Sequence, residues 1–173
     1  MNIRRVIFLD IDGTLNNNSW KEDPKSPWIL RSCAKALDHI ISETGAQLIL
    51  TSQRRHAIHT GRISMSGFQV LLKSHGIKGN LAGHLPYTDN WEDKRFLIKD
   101  WLRINNWNRY CVLDDVDMYA GNQVFSDSKV GLTMEDTVEA IGILNGDIDK
   151  LPVEIKDESV SYTHLTLPTT PYV

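Results

Sequence analysis

Two carboxylates spaced by one residue, Asp10 and Asp12, follow the apolar run Val6-Ile7-Phe8-Leu9 and precede Gly13-Thr14. On an extended strand such a pair lies on one face, and the glycine permits the sharp backbone departure that exposes it. Two further apolar runs end in polar clusters: Leu48-Ile49-Leu50 in Thr51-Ser52, and Cys111-Val112-Leu113 in Asp114-Asp115. The chemistry that this pattern suits is phosphoryl transfer. One ionised carboxylate attacks phosphorus to form an acyl phosphate, while the other protonates the leaving oxygen and then activates water. Their mutual repulsion calls for a metal, and Mg²⁺ takes oxygen ligands, keeps several waters and bridges to phosphate. Asp114 and Asp115 can complete a shell begun by Asp10 and Asp12, with Asp117 as an alternative to Asp115. Thr51 and Ser52 offer hydroxyls, with the N–H groups of a helix start behind them for phosphoryl oxygens. Lys94, with Arg95 as its competitor, supplies a cation for the attacking carboxylate and the phosphate.

Such groups must be delivered to one edge by the elements that carry them. Short aliphatic runs separated by helix-patterned stretches read as buried parallel strands, and ligands of open α/β sheets bind beyond the carboxyl ends of the strands. The spacing of Ile29, Leu30, Cys33, Leu37, Ile40 and Ile41 predicts a helix from Trp28 to about Thr44, stopped by Gly45. A strand around Gln47 to Ser52 leads into a looser helical stretch from Arg54 to about His75, broken by Gly61 and Gly67 and closed by Gly76. Asn80 to Asn90 reads as a loop with room for a short strand, and Trp91 to Asn106 returns to helical spacing. Tyr110 to Asp114 is the next strand, Val124-Phe125 a short edge strand, and Met134 to Leu144 a last helix with Thr133 as its N-cap. Strands alternating with helices predict a three-layer, doubly wound α/β domain with a mostly parallel central sheet.

Composition limits what surrounds this site. The chain has 173 residues, of which 41% are hydrophobic, which suits one domain with a substantial core. Residues 1–150 are expected to form it and 151–173 a tail, whose segment from about Val160 does not read as native sequence. A net charge of −3 advertises no general nucleic-acid field. Cys33 and Cys111 lack metal-ligand spacing and read as structural thiols. Without a secretory signal or a membrane span, the expected location is the cytoplasm.

The set Asp10-Ile11-Asp12-Gly13-Thr14, Thr51-Ser52, Lys94 and Asp114-Asp115 resembles the four motifs of the haloacid dehalogenase (HAD) superfamily, in the right order over roughly residues 4 to 145. The resemblance implies Asp10 as nucleophile, Asp12 as general acid/base, Thr51 or Ser52 as phosphate ligand, Lys94 as stabilising cation, and Asp114 with Asp115 as magnesium ligands. The segments Leu50-Thr51-Ser52-Gln53-Arg54, Lys94 to Leu102, and Val112 to Asp115 followed by Gly131-Leu132-Thr133 are similar to small HAD domains of RNA-repair and phage-type proteins. Arg54 enters as a substrate-binding residue by that resemblance. The commonest form of the subgroup has Ser-Ser-Trp-Arg where Thr51-Ser52-Gln53-Arg54 stands and usually Arg where Lys94 stands; both changes keep the needed chemistry.

The intervals from Asp12 to Thr51 and from Ser52 to Lys94 are each largely used by a helix, so no large cap domain is expected. An open site suits a phosphorylated substrate such as a nucleotide or a nucleic-acid end. Arg55, His59 and Arg62 fall at i, i+4 and i+7 and would make one helical face basic, either beside a nucleic acid or simply in water. Of the five tryptophans, Trp28 and Trp101 read as packing residues, and Trp20, in the loop over the site, is the candidate for base stacking. The expectation is a Mg²⁺-dependent phosphohydrolase acting through an aspartyl-phosphate. Its rival is a non-catalytic module that keeps the fold and binds nucleic acid or protein, against which the intact Asp10/Asp12 pair speaks.

Overall fold

Continuous apolar runs form strands buried on both faces, and the computed structural model, which describes residues 2–23 and 25–150, bears this out. Five parallel strands make one sheet: β1 (Arg5–Leu9), β2 (Gln47–Leu50), β3 (Leu81–His84), β4 (Arg109–Asp114) and β5 (Gln123–Phe125), in the order β3-β2-β1-β4-β5. The helices are α1 (Ser19–Glu22), α2 (Arg31–Thr44), α3 (His56–His59), α4 (Met65–Ser74), α5 (Lys94–Ile104) and α6 (Met134–Asn145), with single 3₁₀ turns at Gln53–Arg55 and Trp91–Asp93.

Alternation along the strands builds two cores. Ile7 and Leu9 of β1, Leu48 and Leu50 of β2, and Cys111 and Leu113 of β4 face α2, α4 and α6. Val6, Phe8, Ile49 and Val112 point the other way, towards Leu97 and Ile98 of α5. There the Trp101 ring meets Phe8 edge-on at 5.3 Å, the packing role read from its spacing. Cys33 and Cys111 are buried free thiols, and burial pushes the Cys111 thiol up to about 12. Both cysteines are structural. The sheet turns back at β1: the chain runs outward through β2 and β3, then crosses α5 to pair β4 with the opposite edge of β1. Register places Leu9 opposite both Leu50 and Leu113, so the residues that follow all three emerge at one level.

Local differences from the sequence expectation have physical reasons. The helix expected from Trp28 begins at Arg31, because the Leu30 N–H donates to the Leu15 carbonyl at 2.7 Å and ties this segment to the loop after β1. Strand β2 ends at Leu50, where the Thr51 N–H donates to the Leu9 carbonyl and the chain turns into the 3₁₀ segment. The stretch from Arg54 to His75 does break at Gly61, whose φ is +76°. Gly67, however, lies inside α4, where its N–H donates to the N-cap Ser64 and an added Cβ would meet Ile63 at 2.9 Å. The basic helical face also dissolves: Arg55 sits before α3, Arg62 beyond its end, and Arg55 is fully buried.

Both long intervals between the motifs are filled mainly by elements packed on the sheet, and no separate cap forms among the described residues. No described helix is long and apolar enough to cross a membrane. The tail from 151 onward and the side chain of Trp20 lie outside the described residues.

Thr133 and Asp136 form a capping box: the Thr133 Oγ1 accepts from the Asp136 N–H at 3.2 Å, and the Asp136 carboxylate accepts from the Thr133 N–H at 2.9 Å. Thr133→Ala is expected to lower stability by about 1 kcal/mol, read as a shifted urea midpoint with an unchanged m-value; no shift would mean that α6 is held by packing alone.

Candidate active site

Asp10, Thr51 and Asp115 are each the first residue after a strand, and Asp114 is the last residue of β4, where ladder hydrogen bonds run on past the strand ends. The Asp10 N–H donates to the Leu113 carbonyl at 3.1 Å, and the Ser126 N–H to the Asp114 carbonyl at 3.1 Å. Asp10, Asp114 and Asp115 therefore converge, and one carboxylate oxygen from each lies within 4.8 Å of the others. Lys94, at the start of α5 on the opposite face of the sheet, places its Nζ 3.3 Å from Asp10 Oδ1 and 2.8 Å from Asp114 Oδ2. Arg95 turns away to Glu92 and lies against Phe96 and Tyr119. Asp117 accepts from the Tyr119 N–H in a local turn and stands outside the acidic cluster.

Charge makes this cluster tense. Burial pushes the Asp10 carboxyl well above the usual carboxylate range, as does Asp114 beside it, against the opposing pull of Lys94. Burial also pushes Asp115 up to about 6, reinforced by the neighbouring Asp114. The Lys94 ammonium is opposed by its own burial, yet Asp10 and Asp114 outweigh that and raise its pKa. Asp114 Oδ2 is ion-paired with that ammonium but, by geometry, accepts no hydrogen bond among the described residues. Three clustered carboxylates, only two of them paired with the ammonium, and a buried carboxylate oxygen that accepts no hydrogen bond fit a hard divalent cation with oxygen ligands.

Asp12 occupies different surroundings. Arg54 grips its carboxylate with Nε 3.1 Å from each oxygen and Nη2 at 2.8 Å from Oδ1, a bidentate charge-assisted pair. The Asn16 amide adds a 2.8 Å bond to Oδ1. The Asp12 side chain is about a quarter exposed, so it stands at the mouth of the site while Asp10 lies at its floor. Thr51 and Ser52 are buried beside the floor, and the Ser52 hydroxyl accepts from the Arg54 N–H at 3.2 Å.

Several supporting residues gave no clear sign in the sequence. Asn16 is buried; besides binding Asp12 it accepts from the Gly13 N–H at 2.9 Å and donates to the Trp28 carbonyl at 2.9 Å. Arg55, read as a surface cation, donates to the carbonyls of Thr51, Ser52 and Pro86 and so clamps the loop that carries Thr51 and Ser52. Burial lowers its pKa to about 10, which leaves it charged at neutral pH. Ser126 bonds the Gly13 carbonyl at 2.8 Å and the Thr14 hydroxyl at 3.0 Å. Gly13 is required twice over. Its φ is +84°, and an added Cβ would stand 2.5 Å from a carboxylate oxygen of Asp115.

Comparison with known proteins yields one finding. A family model described as the HAD domain in Swiss Army Knife RNA repair proteins matches residues 6–137. No curated protein and no solved structure gives a significant match.

The raised Asp115 pKa has a signed consequence. A carboxyl that binds its proton more tightly folded than unfolded adds stability below its unfolded pKa, and that stability is lost as pH rises through about 6. Without divalent cations, Asp115→Asn should therefore gain stability relative to wild type between about pH 4 and pH 7. A divalent cation at pH 7 should stabilise wild type and cancel that gain. Thermal unfolding of both proteins across this range checks the prediction, and a gain that shrinks with pH would contradict it.

Proposed function

Since this chain belongs to the family of HAD domains found in Swiss Army Knife RNA repair proteins, we propose that it is a Mg²⁺-dependent phosphohydrolase that cleaves phosphomonoesters through an aspartyl-phosphate on Asp10. The observation that carries this reading is the buried Asp10 carboxylate held 3.3 Å from the Lys94 ammonium within the Asp114/Asp115 cluster. In this reading Asp10 is the nucleophile, Lys94 its countercharge, and Asp114 with Asp115 the further cation ligands, a grouping supported by their proximity at the carboxyl end of the central strand.

Asp10 Oδ attacks phosphorus, and the bond from phosphorus to the leaving oxygen breaks. Asp12 gives its proton to that oxygen, so the product leaves as an alcohol. Asp12, now ionised, takes a proton from water, whose oxygen attacks the phosphorus of the acyl phosphate; inorganic phosphate leaves and the Asp10 carboxylate returns. Lys94 offsets charge on Asp10 before attack, and Thr51 and Ser52 are the residues assigned to hold phosphoryl oxygens. Asp10, Asp114 and Asp115 would hold the Mg²⁺, with Asp12 as the fourth candidate ligand at the mouth, and the chemistry that the ion supplies when bound is neutralisation of phosphoryl charge. Arg54 has two partners to choose between. A phosphoryl group entering the site competes for its guanidinium and frees Asp12 for proton transfer. Nucleotides or nucleic-acid ends are the favoured substrates, in keeping with the open site and the repair context of the family.

Hydrolysis of an aryl phosphate by the purified protein tests the reading. Asp10→Asn should lower kcat by about 10³-fold or more, Asp12→Asn by about 10²–10⁴-fold, and chelation of divalent cations should abolish turnover reversibly. Full activity of Asp10→Asn would exclude the aspartyl-phosphate. A folded wild type inert towards all phosphomonoesters, phosphorylated oligonucleotides included, would point instead to a binding module.

A further inference from the structure

Beside the catalytic floor a cavity of about 640 Å³ opens, and Asp12 lines it. The volume falls within the roughly 300–1,000 Å³ of small-molecule sites. Trp28, Ile63, Phe68 and Leu71 supply an apolar wall, while Arg54 and Arg62 stand at its polar side. The wall is built in advance: Trp28 meets Phe68 edge-on at 6.0 Å and His75 at 5.4 Å, and the Arg54 guanidinium lies 5.3 Å over its ring. Arg62 is exposed and forms no ion pair among the described residues.

The position of the cavity follows from the chemistry of Asp12, and so rests on the phosphohydrolase reading. In an in-line displacement the attacking and leaving oxygens stand on opposite sides of phosphorus. With Asp10 attacking from the floor and Asp12 protonating the leaving oxygen, the leaving group must extend past Asp12, where the cavity lies. Its lining then selects the leaving group. An apolar wall with two aromatic rings disfavours a bare sugar or polyol, and a free guanidinium at the rim calls for a second anionic group. A nucleoside that carries a further phosphate has both features.

We propose that this cavity is the leaving-group subsite and receives the terminal nucleoside of the substrate, its base against the wall of Trp28, Phe68 and Leu71 and a further phosphate at Arg62. That phosphate belongs either to a polynucleotide chain or to a free nucleoside bisphosphate. Leu71, half-buried in the wall, can be enlarged to close the cavity without emptying the core.

The test compares kcat/KM for adenosine monophosphates with that for glycerol 2-phosphate in wild type and Leu71→Trp. The ratio should fall at least tenfold in the variant. A ratio unchanged within twofold, whether both rates drop or neither does, overturns the subsite while leaving the phosphohydrolase intact. Arg62→Gln should lower kcat/KM at least threefold for a phosphorylated tetranucleotide or a nucleoside 3′,5′-bisphosphate, and whichever of these wild type prefers identifies the source of the further phosphate. Loss on neither overturns the role of Arg62. Should wild type hydrolyse nothing, the reading of function fails separately. Titration with adenosine monophosphate then still decides: affinity that is measurable in wild type and at least tenfold weaker in Leu71→Trp keeps the subsite, and equal or absent binding removes it.

Discussion

A single buried ammonium, that of Lys94, stands among three carboxylates that could not otherwise share so small a space. Taking ions out of water is costly, and a buried pair is tolerated only when its geometry is good. Here Lys94 lies 3.3 Å from Asp10 and 2.8 Å from Asp114, and the remaining excess of negative charge leaves the cluster receptive to further cations. The two partners arrive from opposite faces of the sheet. β1 and β4 carry the carboxylates side by side because Leu9 and Leu113 are in register, while α5 crosses the far face and points its first residue back over the strand ends.

Around this charged centre, polar contacts convert flexible loops into fixed ones. Arg55 holds the backbone of Thr51 and Ser52 from behind, Asn16 closes the turn after β1 on Asp12 and Gly13, and Ser126 reaches the same turn from beyond β5. None of these side chains needs to meet a substrate; they hold in place the groups that would. The contrast between floor and mouth follows from it. Asp10 is enclosed and electrostatically raised, whereas Asp12 is partly exposed and steered by Arg54.

Much of this was legible in the residues. Apolar runs ending in Asp10-Ile11-Asp12, Thr51-Ser52 and Asp114-Asp115 correspond to three adjacent parallel strands, and Gly45 and Thr133 bound their helices as expected. Lys94 against Arg95 was not decided by spacing, because neighbours on a helix differ only by the direction in which they point; packing of α5 settles which one faces inward. Arg55 misled for a related reason. An i, i+4, i+7 pattern presupposes a continuous helix, and this one is interrupted at Gly61 and preceded by a 3₁₀ turn. Asn16 was invisible as a positioning residue because its partners lie in a non-repetitive turn, where no periodicity marks a buried side chain.

The hydroxyls of Thr14 and Ser126 are 112 residues apart in the chain, and the Leu132 N–H closes on the carbonyl of Thr14. Such long-range closures are slow to find during folding. The turn after β1 therefore sets only once the chain beyond β5 has folded back onto it. A chain cut short of Ser126 would carry the same acidic residues on a turn deprived of its distant partners.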